Sequence, residues 1–318
     1  MRVLVTGGAG YIGSTTAAAL LAAGHQVVVA DDLSAGHRDA VPADAAFVEV
    51  DVTDPVAIDA VVADGSFDAC LHFAALIEAG ESMRAPERFF RVNTGGSAVL
   101  LDALLRHGVG RFVLSSTAAV YGEPDEVPIT EDAALAPTNA YGESKLLVER
   151  MLAWHHRIHG LRYAALRYFN AAGAVPGHPE RHDPETHLIP LVLQVAAGTR
   201  EHIMVFGSDY PTPDGTCVRD YIHVADLADA HVRALERLDD HGAIVCNLGN
   251  GRGFSVREVI DAARRVTGHA IPAVDAERRP GDPATLVASA HRAAEMLGWE
   301  PSHTDLDRIV ADAWAERG

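Results

Sequence analysis

The chain has 318 residues, a formal net charge of −18 at pH 7, and 48% apolar residues. That length can bury a sizeable core, and the composition is that of an ordered globular protein. The acidic balance argues against a nucleic-acid partner, whose phosphates it would repel, and no apolar run approaches the ~20 residues of a membrane span.

The chain opens on a predicted strand at 2–6, with no room for a signal peptide, which reads as a cytoplasmic protein. Gly7-Gly8-Ala9-Gly10-Tyr11-Ile12-Gly13 follows and leads into a predicted helix over 11–23. Gly7, Gly10 and Gly13 have the spacing that lets backbone amides approach a pyrophosphate at a helix N-terminus. A glycine run alone is weak evidence; between a strand and a helix it predicts a dinucleotide site. The second strand, near 26–30, ends at Asp31, followed by Asp32. An acid there can accept hydrogen bonds from the adenosine ribose and would repel a 2′-phosphate, which selects NAD over NADP. The bland alternative is that Asp31 and Asp32 only cap the next loop. Asp51, before Val52, is a candidate adenine contact after the third strand, near 47–50.

Further strands are predicted near 68–73, 111–115 and 162–168, with helices near 55–63, 86–107 and 140–159. Runs such as Val27-Val28-Val29-Ala30 lack alternation, as expected of strands covered on both faces. The fold class is therefore α/β: a doubly wound parallel sheet over 1–174, then a smaller mixed α/β domain over 175–318. The chain around 219–248 is left open to return to the first domain.

One lysine occurs among the 26 basic Lys and Arg residues, and it is Lys145, four residues after Tyr141. On one helix face the phenol and ammonium can meet. A free phenol, with a pKa near ~10, is a poor base at neutral pH; a neighbouring ammonium and an oxidised nicotinamide should lower it. Ser115-Ser116-Thr117 ends the fifth strand, where parallel sheets place ligands, and Thr117 is the candidate for bonding a reacting hydroxyl. Cys70, Cys217 and Cys246 are isolated and read as reduced structural thiols. His155 and His159 lie four apart on a helix, a spacing that can bind metal, but no third ligand is in view and no metal is expected.

Together these motifs resemble the extended short-chain dehydrogenase/reductase superfamily and, within it, the UDP-glucose 4-epimerase family over nearly the whole chain. The resemblance also rests on His72-Phe73-Ala74-Ala75, Gly80-Glu81-Ser82, Asn93, Ala118-Ala119-Val120-Tyr121-Gly122, Leu166-Arg167-Tyr168-Phe169-Asn170, Val218-Arg219-Asp220-Tyr221-Ile222-His223, Asn247-Leu248-Gly249 and Arg278-Arg279-Pro280-Gly281-Asp282. It implies an NAD-dependent 4-epimerase in which Tyr141 takes the proton of the sugar 4′-hydroxyl and Lys145 holds the nicotinamide ribose. The 4-keto sugar would turn over while UDP stays anchored. By the same resemblance Phe73, Ala74, Ala75, Asn93, Ser115 and Tyr168 belong to the cofactor or nicotinamide side. Phe169, Asn170, His187, Leu188, Phe206, Arg219, Arg279, Asp282 and Leu286 belong to the UDP-sugar side. Members of the family commonly pair as homodimers through the helices equivalent to 86–107 and 140–159.

Three positions depart from the family pattern. Ile77 stands where many members have a second lysine, Asp32 replaces the usual Asn, and Leu286 replaces a bulky Tyr of strictly glucose/galactose-specific members. The last leaves room for a 2′-N-acetyl group. Rival dehydratase and decarboxylase readings lack the acidic residues they need, since Ala118-Ala119 follows Thr117. A UDP-glucuronate 4-epimerase remains an alternative. A non-catalytic dinucleotide sensor is disfavoured by the retained Tyr–Lys pair.

Overall fold

In a computed structural model the described residues are 1–279 and 282–317. The strands in chain order are β1 (Arg2–Thr6), β2 (Gln26–Asp31), β3 (Ala46–Glu49), β4 (Ala69–His72), β5 (Arg111–Thr117), β6 (Arg162–Tyr168), β7 (Asn170–Ala172), β8 (Ile203–Phe206), β9 (Val218–His223), β10 (Ala243–Leu248), β11 (Gly253–Ser255), β12 (Ala273–Ala276) and β13 (Thr285–Leu286). The helices are α1 (Tyr11–Ala22), α2 (Pro55–Gly65), α3 (Ala79–Ser82), α4 (Pro86–Phe89), α5 (Gly96–Arg106), α6 (Ala140–His159), α7 (Leu188–Ala196), α8 (Val224–His241), α9 (Val256–Thr267), α10 (His291–Leu297) and α11 (Leu306–Ala315).

Seven parallel strands form the main sheet in the order β10-β6-β5-β4-β1-β2-β3. Alternate residues of each strand enter opposite cores. Val3, Val5, Val27 and Val29 pack with Leu20 of α1 and Leu227, Leu235 and Leu238 of α8. Leu4, Val28 and Ala30 pack with Ile58 of α2, Leu101 of α5 and Leu152 of α6. This double covering explains the unalternated apolar runs. The strand order reverses between β1 and β4, and a crevice at the carboxyl ends of those strands is where such sheets bind ligands.

The smaller unit gathers β7, β11 and β13 around β9, and pairs β12 with β8. Its core joins α7, α9 and α11. The region around 219–248 is split: β9 stays in the smaller sheet, while α8 and β10 return to the large one. The helix expected over 86–107 is continuous but not uniformly α-helical. α4 gives way to a π-helical stretch at Phe90–Gly95 before α5, and Asn93 lies within that stretch.

Candidate active site

The site begins where β1 ends. The Thr6 carbonyl accepts from the N–H groups of Phe73 (2.8 Å) and Ala74 (3.1 Å), tying the loop after β4 to the glycine-rich turn. Gly7 has φ +72°, and a Cβ there would lie 2.3 Å from the Ala74 nitrogen. A Cβ on Gly13 would lie 2.2 Å from the Gly7 carbonyl oxygen, so α1 approaches the turn as only glycine permits. Gly10 caps α1 without a side chain, which leaves first-turn N–H groups for an anion. These features fit a pyrophosphate. Tyr11 and Ile12 open the helix, but the Tyr11 phenol donates to the Gly173 carbonyl at 2.6 Å and so braces the two units.

Asp31 is buried at the end of β2. Its carboxylate accepts from the N–H groups of Ala9 (3.0 Å) and Leu33 (2.9 Å), so it shapes the turn as well as standing at the ribose position. Asp32 is exposed and accepts from the Ser34 N–H and hydroxyl, the capping role weighed against a cofactor role. Asp51 likewise holds Thr53, while Val52 is buried. Asn93 spends its amide internally. Its Oδ1 accepts from the Leu76 N–H and its Nδ2 donates to the Leu76 carbonyl and the Ser144 hydroxyl. These bonds brace the loop after β4 against α6, beside the expected nicotinamide position.

The reactive groups meet at the end of β5. Asn139 caps α6 by accepting from the Gly142 N–H at 2.8 Å. A Cβ on Gly142 would lie 2.5 Å from the Ala119 carbonyl oxygen, so the start of α6 lies against the turn after Thr117. The Lys145 ammonium donates to the Ser115 carbonyl at 2.9 Å, and the Ser115 and Tyr168 hydroxyls are hydrogen-bonded. Burial lowers Lys145 to about 8. In the NAD-free protein the Tyr141 phenol is pushed up by burial, against a lowering by its hydrogen bond with the Thr117 hydroxyl, with Glu78 adding a further rise. The protein alone desolvates this phenol more than it acidifies it.

On the other side of the crevice, β7, β9 and β13 carry Asn170, Arg219 and Leu286, with Leu286 in register with Arg219. Arg219 pairs with Asp282, and the Asn170 amide donates to the Asp220 carbonyl at 2.9 Å. The Arg279 guanidinium sits 4.1 Å from the centre of the Phe206 ring. Pro280 and Gly281 of the expected motif lie outside the described residues. Phe169 and Leu286 each pack against the cluster that contains Val120, Tyr121 and Leu146.

His187, expected on the substrate side next to Leu188 at the start of α7, joins Glu180, His182 and Glu185 in one cluster. Sequence reasoning missed that cluster, although the repeated Glu-x-His at 180–182 and 185–187 was its signal. It also missed a buried network in which Glu149 accepts from Arg167 and from the Ser116 hydroxyl (2.5 Å), fixing the strand ends beneath the site.

The model of the NAD dependent epimerase/dehydratase family matches residues 3–249, and the chain belongs to that family. It is 54% identical over 315 residues to a UDP-glucose 4-epimerase of Corynebacterium glutamicum, covering 99% of this chain and 95% of that one. It is 56% identical over 314 residues to a UDP-glucose 4-epimerase of Streptomyces lividans, covering 98% and 95%. The crystal structure of UDP-glucose 4-epimerase from Brucella ovis in complex with NAD superposes with a TM-score of 0.96 at 46% identity, covering 99% of this chain and 97% of that one.

Proposed function

We propose that this chain interconverts UDP-galactose and UDP-glucose through a 4-keto intermediate, with tightly bound NAD as its cofactor. The observation that carries the reading is that Tyr141 reaches Thr117 and Lys145 reaches the Ser115 carbonyl, both at the end of β5, in a sheet whose first turn is built for a pyrophosphate. Identity of 54–56% with UDP-glucose 4-epimerases over almost the full chain supports it.

NAD, when bound, supplies the hydride acceptor and, oxidised, the positive charge beside the phenol. Tyr141 takes and returns the proton of the 4′-hydroxyl, and Thr117 shares that proton's hydrogen bond. Lys145 holds ribose hydroxyls and, through Ser115, the strand end. Arg219 and Arg279 clasp the diphosphate with planar forks. Asp282 takes the uridine ribose, Phe206 flanks the uracil, and Asn170 and Leu188 complete the nucleotide wall. Leu286 leaves space for an N-acetyl group, so the N-acetylated UDP-hexoses are substrates too.

The working protein is a cytoplasmic homodimer. Trp154 and Ile158, four apart on α6, are 58% and 64% exposed, an apolar stripe suited to a second copy. Three unpaired buried cysteines accord with a reducing compartment.

The test is to purify the protein without added NAD, assay co-purified dinucleotide, then supply UDP-galactose and measure UDP-glucose. Bound NAD with no turnover of any UDP-sugar would overturn catalysis in favour of a dinucleotide sensor. Faster turnover of UDP-glucuronate than of UDP-glucose would reassign the substrate.

A further inference from the structure

The segment 174–187, between β7 and α7, contains two buried carboxylates without an arginine or lysine partner among the described residues. Glu180 and Glu185 are 8% and 7% exposed at their side chains, and their charged neighbours are His182 and His187. The nearby Arg181 turns away to Asp39, at 2.8 Å and 3.0 Å. Two buried carboxylates need positive charge.

His187 supplies part of it, since, against a lowering by burial, its hydrogen bonds with Glu180 and Glu185 push that imidazole up to about 10. His187 Nδ1 lies 2.8 Å from Glu185 Oε1 and 3.0 Å from Glu180 Oε1, and His182 Nδ1 lies 3.1 Å from the same Glu180 oxygen. One Nδ1–H can point at one of the two carboxylates, not both. The four ligand atoms, linked in the order Glu185, His187, Glu180, His182, all fall within 4.8 Å of one another. Opening the contacting pairs and drawing in the wider ones, by about 1 Å or less, would place all four ~2.0–2.2 Å from a central ion, the length of zinc–nitrogen and zinc–carboxylate bonds. Glu185 Oε1 is already oriented by the N–H groups of Thr186 and His187, both at 2.7 Å, as a ligating carboxylate is by outer partners.

We propose that Glu180, His182, Glu185 and His187 form a structural site for a zinc-class divalent cation. With the His187 proton displaced by the cation, two neutral imidazoles and two carboxylates make a neutral complex with a dication, which resolves the buried charge. The N2O2 donor set suits zinc or cobalt over magnesium or calcium. All four ligands come from one stretch of eight residues, so the ion would close this segment on itself. Glu180, His182 and Glu185 also line a cavity of about 260 Å³ with Gly173 and Ile189. The ion would therefore fix both the floor of that cavity and the start of α7.

The experiment uses full-length, tag-free protein freed of metal by dialysis. Titration with Co(II) is expected to give the visible absorption of a four-coordinate site at one ion per chain. Zn(II) should bleach it and raise Tm. His182→Ala and Glu180→Gln should abolish the absorption, whereas His155→Ala, at the rival pair on α6, should preserve it. Wild-type protein that gives no such absorption and binds no Zn(II) by elemental analysis would overturn the proposal, as would a signal lost in His155→Ala and kept in His182→Ala. Because the wild-type spectrum decides first, a variant that fails to fold does not rescue the idea.

Discussion

The Lys145 ammonium is bonded at 2.9 Å to the carbonyl of Ser115, so the chain's single lysine is held at the end of β5 in a site 2% exposed to solvent. The charge is desolvated and its position fixed by a backbone oxygen that cannot rotate away. Thermodynamics then gives it a pH signature. Its native pKa is about 8 against 10.5 for the free side chain, so between these values the unfolded chain binds more protons. In NAD-free protein, stability contributed by this group rises as pH increases from 8 to 10.5, by on the order of 3 kcal/mol. Lys145→Met should remove that rise. Denaturant melts of both proteins across this range check it, and parallel curves would refute the assignment.

Tyr141→Phe deletes one hydroxyl and leaves the ring that packs at the start of α6. Turnover of UDP-galactose should fall by about 10²–10⁴-fold, the usual worth of a positioned acid/base. Co-purified NAD and Tm should stay near wild type. Turnover within tenfold of wild type would reject the phenol as base.

Gly13→Ala places a methyl group 2.2 Å from the Gly7 carbonyl oxygen, which is backbone and cannot swing aside. α1 must retreat from the turn. The expected outcome is loss of co-purified NAD together with a lowered Tm, read by absorbance of the released dinucleotide and by thermal melting. An unchanged NAD content would show that the close approach has no bearing on the cofactor.

Leu286→Tyr should separate two substrates. Leu286 packs against the cluster that contains Val120 and Tyr121, in register with Arg219. A larger ring there should cut kcat/KM for UDP-N-acetylglucosamine at least tenfold more than for UDP-glucose. Equal losses, or a wild-type protein inert toward the N-acetyl sugar, would remove Leu286 as a determinant.

Trp154→Glu puts a charge on the exposed stripe of α6. Sedimentation should show a shift from dimer to monomer with the fold intact. A wild-type protein that sediments as a monomer at micromolar concentration would end that reading.

Much of this was legible because it is local. The glycine run, the strand on either side of α1, and Asp31 at the end of β2 are short-range patterns, and the structure places them together. What was hidden depends on partners distant in sequence. The local pattern leaves open the return of the chain around 219–248; which part of it returns, α8 with β10, follows from apolar residues of α8 that pack against the main sheet. The hydrogen bonds of the Asn93 amide to Leu76 and Ser144 likewise join segments far apart in sequence. The π-helical turn at Phe90–Gly95 lies within a segment whose periodicity predicts one helix. The Glu180–His187 cluster escaped because metal spacing was sought on a helix, where His155 and His159 sit, rather than in a loop.

The segment that leaves β7 is fastened on both flanks of the glycine-rich turn. The His178 ring bonds the Ser14 hydroxyl at 3.0 Å, the His37 ring bonds the Arg181 carbonyl at 3.2 Å, and Tyr11 holds Gly173. Such a strap slows the departure of whatever rests on the turn, because several tethers must part at once. A reaction that leaves its redox partner in the state in which it began has no need to exchange it between cycles, so slow release costs this catalyst nothing and keeps each molecule permanently charged for the next substrate.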